Sequence, residues 1–123
     1  MDRPRALARL HALAAMRRDA DVARLERLRA EIRVLESQID MLDGASVDRL
    51  GAEPTPSAYQ MAGRDGLWDM WRTDRVKEIR QRIASLSADR ERQGQAARLS
   101  VGRHQVLGKL AARHAPGAKP DGS

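Results

Sequence analysis

His11, His104 and His114 are the residues of this chain best suited to hold a metal or move a proton. Neutral imidazole is an ordinary zinc ligand, but a zinc site needs three or four protein ligands. The chain has no cysteine, which removes thiolate zinc sites, disulfides and cysteine nucleophiles. No carboxylate stands at helix-turn spacing beside both His11 and His104. A phosphate-binding glycine loop, a dinucleotide glycine pattern and a nucleophile elbow are all missing from the sequence. These residues predict no enzyme: no catalytic residue, no cofactor and no metal. His11 and His104 are expected to face each other as a polar layer that fixes helix register.

Two other groups of residues suit binding instead. Trp68 and Trp71 stand three apart, and tryptophan is enriched in binding hot spots. The same pair can also serve simply to close the end of a helix pair against Leu42. The second group is basic. Arg3, Arg5 and Arg9 lie near the start of the chain, and Arg98, Arg103, Lys109 and Arg113 lie toward its end. Few acids are interspersed among them, so they fit an acidic or polar partner surface. Across the whole chain, however, 17 acidic residues are spread among 23 basic ones, for a net charge of +6. No aromatic interleaving or recognition-helix signature accompanies the arginines, which weakens a nucleic-acid reading.

The elements that position these residues follow from composition and spacing. A chain of 123 residues allows one domain. It has no phenylalanine, one tyrosine and two tryptophans, while 33% of its residues are charged. That is too little aromatic mass for an ordinary globular core, and it suits paired helices with much surface. No apolar run approaches the roughly 18–20 residues of a membrane span. The longest, Ala12 to Met16, is flanked by His11 and Arg17. Asp2, Arg9 and His11 also make the N-terminus unlike a secretory leader.

A first helix is expected over residues 3–43. Leu25, Leu28, Ile32, Leu35, Ile39 and Leu42 recur at alternating spacings of 3 and 4, which is a heptad seam. Upstream, Leu7, Leu10, Leu13 and Met16 drift off that seam. Gly44 is expected to end the helix. A linker follows over 44–66, where Pro54 and Pro56 forbid continuous helix. Within it, Ser57 and Gln60 fit a capping box for one turn over 58–62, closed by Gly63 and Gly66. The second helix is expected over 67–113, with a stripe of Val76, Ile79, Ile83 and Leu86. The stripe fails across Ser87 to Gln95 and resumes weakly at Ala96, Leu99, Val106 and Leu110. Gly94, Gly102 and Gly108 in this half each cost about 1 kcal/mol relative to alanine. Residues 114–123, with Pro116, Gly117, Pro120 and Gly122, form a flexible, disordered tail.

Each stripe must be buried, and folding at the linker brings the two together. An antiparallel pairing sets Leu42 opposite Trp71, Leu25 opposite Leu86 and Leu7 opposite Leu107, in a nearly constant register. The polar break at Arg17, Arg18, Asp19 and Asp21 then falls opposite Arg90 to Gln95. The expected fold is all-α: a long antiparallel two-helix coiled-coil hairpin over 3–113 with a flexible C-terminal tail.

Several stretches carry a resemblance. Ala6-Leu-Ala-Arg-Leu-His-Ala-Leu-Ala14, Asp21-Val-Ala-Arg-Leu25 and Gln38-Ile-Asp-Met-Leu42 resemble the first helix of the FliJ family, the cytoplasmic stalk proteins of the bacterial flagellar type III export apparatus. The opening Trp68-Asp-Met-Trp71, followed by Ile79 and Ile83, is similar to that family's second helix. The likeness covers residues 6 to 110. It departs from the family in a short chain, in Pro54 and Pro56, and in a glycine-containing second helix. The resemblance implies a coupling protein without catalysis. One end of the hairpin would insert into the export ATPase hexamer. The other would contact the cytoplasmic domain of the export gate, with Gln38 and Leu42 matching positions used there. Export chaperones are implied as further partners. The implied place is the cytoplasm, at the inner face of the inner membrane through the export apparatus. The alternatives are a basic coiled coil that binds nucleic acid and a general scaffold that self-associates.

Overall fold

The computed structural model describes residues 2–50 and 58–117, with side chains over 2–45 and 65–117. It is an all-α helical hairpin of two helices, α1 (Arg3–Leu50) and α2 (Ala58–Arg113), with no strand among the described residues. Asp2 opens α1: its carboxylate accepts the Arg5 amide at 3.4 Å, and its carbonyl accepts the Ala6 amide at 3.0 Å. An aspartate at this position satisfies helix-start amides that have no partner within the helix. At the far end the His114 amide reaches the Leu110 carbonyl at 3.1 Å, and Gly117 turns the chain out with φ 84°. The tail beyond Gly117 lies outside the described residues.

Both helices overrun their expected bounds at the hairpin end. Residues 44–50 extend α1, and residues 58–66 begin α2. Glycine ends a helix by adopting a left-handed conformation. Among the described residues only Gly117 does so, and Gly44 and Gly66 stay helical. A lone glycine inside a long helix costs about 1 kcal/mol, too little to stop it. The expected 44–66 linker therefore shrinks at both ends. Pro54, Pro56 and Ser57 lie outside the described residues.

The chain divides into two compact units. Unit 1 comprises Met1–Leu28 with Asp89–Ser123, and unit 2 is Arg29–Ala88. Unit 2 has the expected aliphatic interior. Ile32, Val76, Ile79 and Leu86 are buried, Ile79 to 2% exposure. Leu35, Ile39, Leu42 and Ile83 are half-buried around them. The pairing is antiparallel, and Arg72 Nη1 donates to Asp43 at 2.9 Å across the two helices.

Unit 1 departs from expectation on α2. Its inward residues are Gln93, Ala97, Ser100, His104 and Leu107, again spaced by 4 and 3. Leu99 and Val106 instead face out, 60% and 57% exposed. On α1 the inward residues are Leu7, His11, Ala14, Arg18, Asp21 and Leu25. Leu10, Leu13 and Met16 are exposed, off the seam as expected. The heptad phase is unbroken in unit 1, but polar and small residues occupy it. A search for apolar side chains therefore picks the wrong face of α2 there.

Candidate functional site

Asp21 is the centre of unit 1. It is buried on the seam of α1, with Gln93 and Ser100 buried opposite on α2. The Ser100 hydroxyl donates to the Asp21 carboxylate, and the Gln93 amide donates to the Asp21 carbonyl at 2.8 Å. Arg17, one turn earlier, completes the cluster at 3.1 Å from the carboxylate. The Ser100 hydrogen bond holds the Asp21 carboxyl below its ordinary value of 3.8. Burial pulls the other way, and the Arg17 charge adds to the lowering. A buried carboxylate is tolerated when donors satisfy it, and here Ser100 and Arg17 do so while Gln93 satisfies the Asp21 carbonyl.

A second polar layer begins about one helical turn along. The rings of His11 and His104 stack with centroids 4.4 Å apart and planes 21° apart, as their spacing predicts. Arg18 Nη1 donates to His104 Nδ1 at 3.0 Å, while its other amino group pairs with Asp19 at 2.9 Å. Burial lowers the His104 pKa from 6.5, and the charges of Arg18 and His11 lower it further against Asp19. Gly108 faces this stack: a Cβ there would sit 3.1 Å from His11 Nε2. Among the described residues no group of three or more His, Asp or Glu could hold a metal ion.

The basic residues expected at this end all lie in unit 1. Arg3, Arg5, Arg9, Arg98, Arg103, Lys109 and Arg113 are exposed. Arg5 lies 3.8 Å from Asp2, an exposed pair worth little. Arg98 and Arg103 border an open groove on α2 whose floor is Leu99, Gly102, Val106 and Leu107. Cationic rims and an apolar floor therefore share one face of this helix.

Unit 2 carries the other expected site. Gln38 and Leu42 of α1 meet Trp71 of α2 along one groove, with Met41, Arg75 and Ile79. Trp71 is exposed, and Trp68 is half-buried outside that lining. Three of the four residues expected there thus share a surface. A second groove, lined by Asp43, Arg72, Lys77, Arg80 and Gln81, runs alongside on α2.

Sequence reasoning missed Ser100 as the third member of the Asp21 cluster. Its signal was present: it stands seven residues after Gln93 and four before His104, on the continued heptad. No family model, no curated protein and no solved structure matches the chain.

Proposed function

We propose that the chain is a cytoplasmic coupling protein of the FliJ kind, the stalk of a bacterial flagellar type III export apparatus, with no chemistry of its own. In this reading unit 1 seats in the export ATPase hexamer, and unit 2 offers its Gln38–Leu42–Trp71 groove to the cytoplasmic domain of the export gate. Export chaperones would be further partners.

One observation carries the reading: unit 1 places polar residues in its seam among the apolar ones and leaves large aliphatics outside. Its seam holds an aspartate, a glutamine, a serine and two histidines, while Leu10, Leu13, Met16, Leu99 and Val106 face outward. Exposed large aliphatics beside a polar interior suit a helix pair that another protein surrounds. The arginines at the rim of the Leu99–Val106 groove suit acidic residues on that partner. Duplex DNA would meet those cations equally well, but it offers no apolar surface for the leucines and valine between them.

The test mixes the purified chain with the export ATPase of its own organism and records complex formation and ATP hydrolysis. The expected result is binding and promoted hydrolysis, both lost in a Leu99→Ser, Val106→Ser double variant of unchanged helix content. A wild-type chain that neither binds nor stimulates overturns the reading. Salt-sensitive binding to duplex DNA would then support the nucleic-acid alternative.

A further inference from the structure

Unit 2 has a second seam on α1, apart from the stripe that packs on α2. On α1, Ala30, Val34, Ser37 and Met41 follow one another at spacings of 4, 3 and 4, and they line an open groove with Arg33 and Gln38. Val34 is 57% exposed and Met41 72%. This face points away from the Ile32, Leu35, Ile39 and Leu42 stripe that packs on α2. A 3-4 spacing is the pattern by which one helix packs along another.

We propose that this face binds α1 of a second copy of the chain, antiparallel, about a two-fold axis between Val34 and Ser37. Two features select that occupant. First, large and small residues alternate along the seam. Antiparallel pairing sets Val34 against Ser37 of the second copy and Met41 against its Ala30. Every large side chain then meets a small one, which lets the helices approach closely. Parallel pairing would set Met41 on Met41 and Ala30 on Ala30, crowding one layer and emptying the next. Second, the charges match. Arg33 and Asp40 flank the seam on the same side, seven residues apart, and neither forms an ion pair or hydrogen bond among the described residues. The same axis brings Arg33 of each copy to Asp40 of the other, giving two equivalent ion pairs. On the opposite flank Glu31 meets Gln38, which is uncharged. A two-fold interface must be self-complementary, and this one is so in both shape and charge.

The pairing does not rest on the stalk reading. It has a consequence for it, because Gln38 and Met41 also line the groove with Leu42 and Trp71. A partner in that groove and a second copy on this face exclude each other.

The experiment is sedimentation equilibrium of the full chain over about 1 to 300 µM, since association of this kind follows mass action. The expected mass rises from one chain to two with concentration. Arg33→Asp turns both attractive pairs repulsive and weakens the dimer by about tenfold. Adding Asp40→Arg to that variant restores it. Circular dichroism checks that helix content is unchanged. A mass of one chain throughout overturns the proposal. So does a dimer that ignores Arg33→Asp, or one that the charge swap fails to rescue, because either would place the contact on another face.

Discussion

Units 1 and 2 are built on the same 3-4 spacing, but their seams differ in polarity. In unit 2 the inward positions are leucine, isoleucine and valine, and the outer faces are mostly charged, with Val34, Met41, Leu67, Met70 and Trp71 exposed among them. In unit 1 the inward positions include Asp21, Gln93, Ser100, His11 and His104, and leucines face water. The difference separates two things a coiled coil needs. Geometry comes from keeping the 3-4 spacing, and both units keep it. Stability comes from the apolar area that the spacing buries, and unit 2 has most of it. Unit 1 keeps its pairing through hydrogen bonds, which contribute less on balance and more specifically.

The sharpest way to break this comparison is to empty the core of unit 2. Ile79→Ala removes the most buried aliphatic and is expected to cost about 3 kcal/mol in a denaturant titration. A much smaller loss would mean that unit 2 is not the stable unit.

Acid should act on unit 1 instead. His104 has a lowered pKa, so its contribution is fully present above pH 6.5 and fades as pH falls through the lower folded value. Asp21 is also lowered, so its contribution holds above about pH 3.8 and is lost as pH falls through its folded value. Hydrogen exchange resolved by peptide should show protection falling in residues 7–21 and 93–107 first, while 32–42 and 76–86 hold. Ser100→Ala should raise the Asp21 pKa, as read from carboxyl carbon shifts.

Glycine substitutions give a smaller effect. Nothing lies within 4 Å of a Cβ built at Gly102, so Gly102→Ala should stabilise unit 1 by about 0.5–1 kcal/mol. Gly108→Ala must first displace the His11 ring, and should gain less or lose. The smallest expected effect is at the Asp43–Arg72 pair. Asp43→Asn should cost no more than about 0.5 kcal/mol, because Asp43 is half in water.

The sequence made unit 2 readable because aliphatic side chains mark its seam directly. Ile32 through Leu42 and Val76 through Leu86 could be set in register from their spacing alone. The same logic failed on α2 beyond Leu86, where the seam carries Gln93, Ala97 and Ser100 and the aliphatics point out. Extending the heptad phase through the polar residues would have found Ser100. Gly44 and Gly66 misled in another way: glycine permits a helix to stop but does not compel it. At the candidate sites, Gln38, Leu42 and Trp71 came together as read, since one register places all three. Trp68 is not in that lining, because three residues along a helix is a turn of about 300° rather than a full one. The His11–His104 pairing followed from register alone, whereas the role of Arg18 in it needed the side chains.

The Asp21 cluster also governs how the helices of unit 1 respond to a pull along their axes. Two aliphatic ridges can creep past one another through many nearly equal packings. An aspartate whose carboxylate is held by Ser100 and whose carbonyl is held by Gln93 has no such neighbours to move to. Sliding by one heptad, about 10 Å, would strip the carboxylate of Ser100 and the Asp21 carbonyl of Gln93, leaving only Arg17 of the same helix beside a buried charge. The load would therefore be carried without slip until the cluster ruptures as a whole, so that the polar seam sets a yield point rather than a gradual shear.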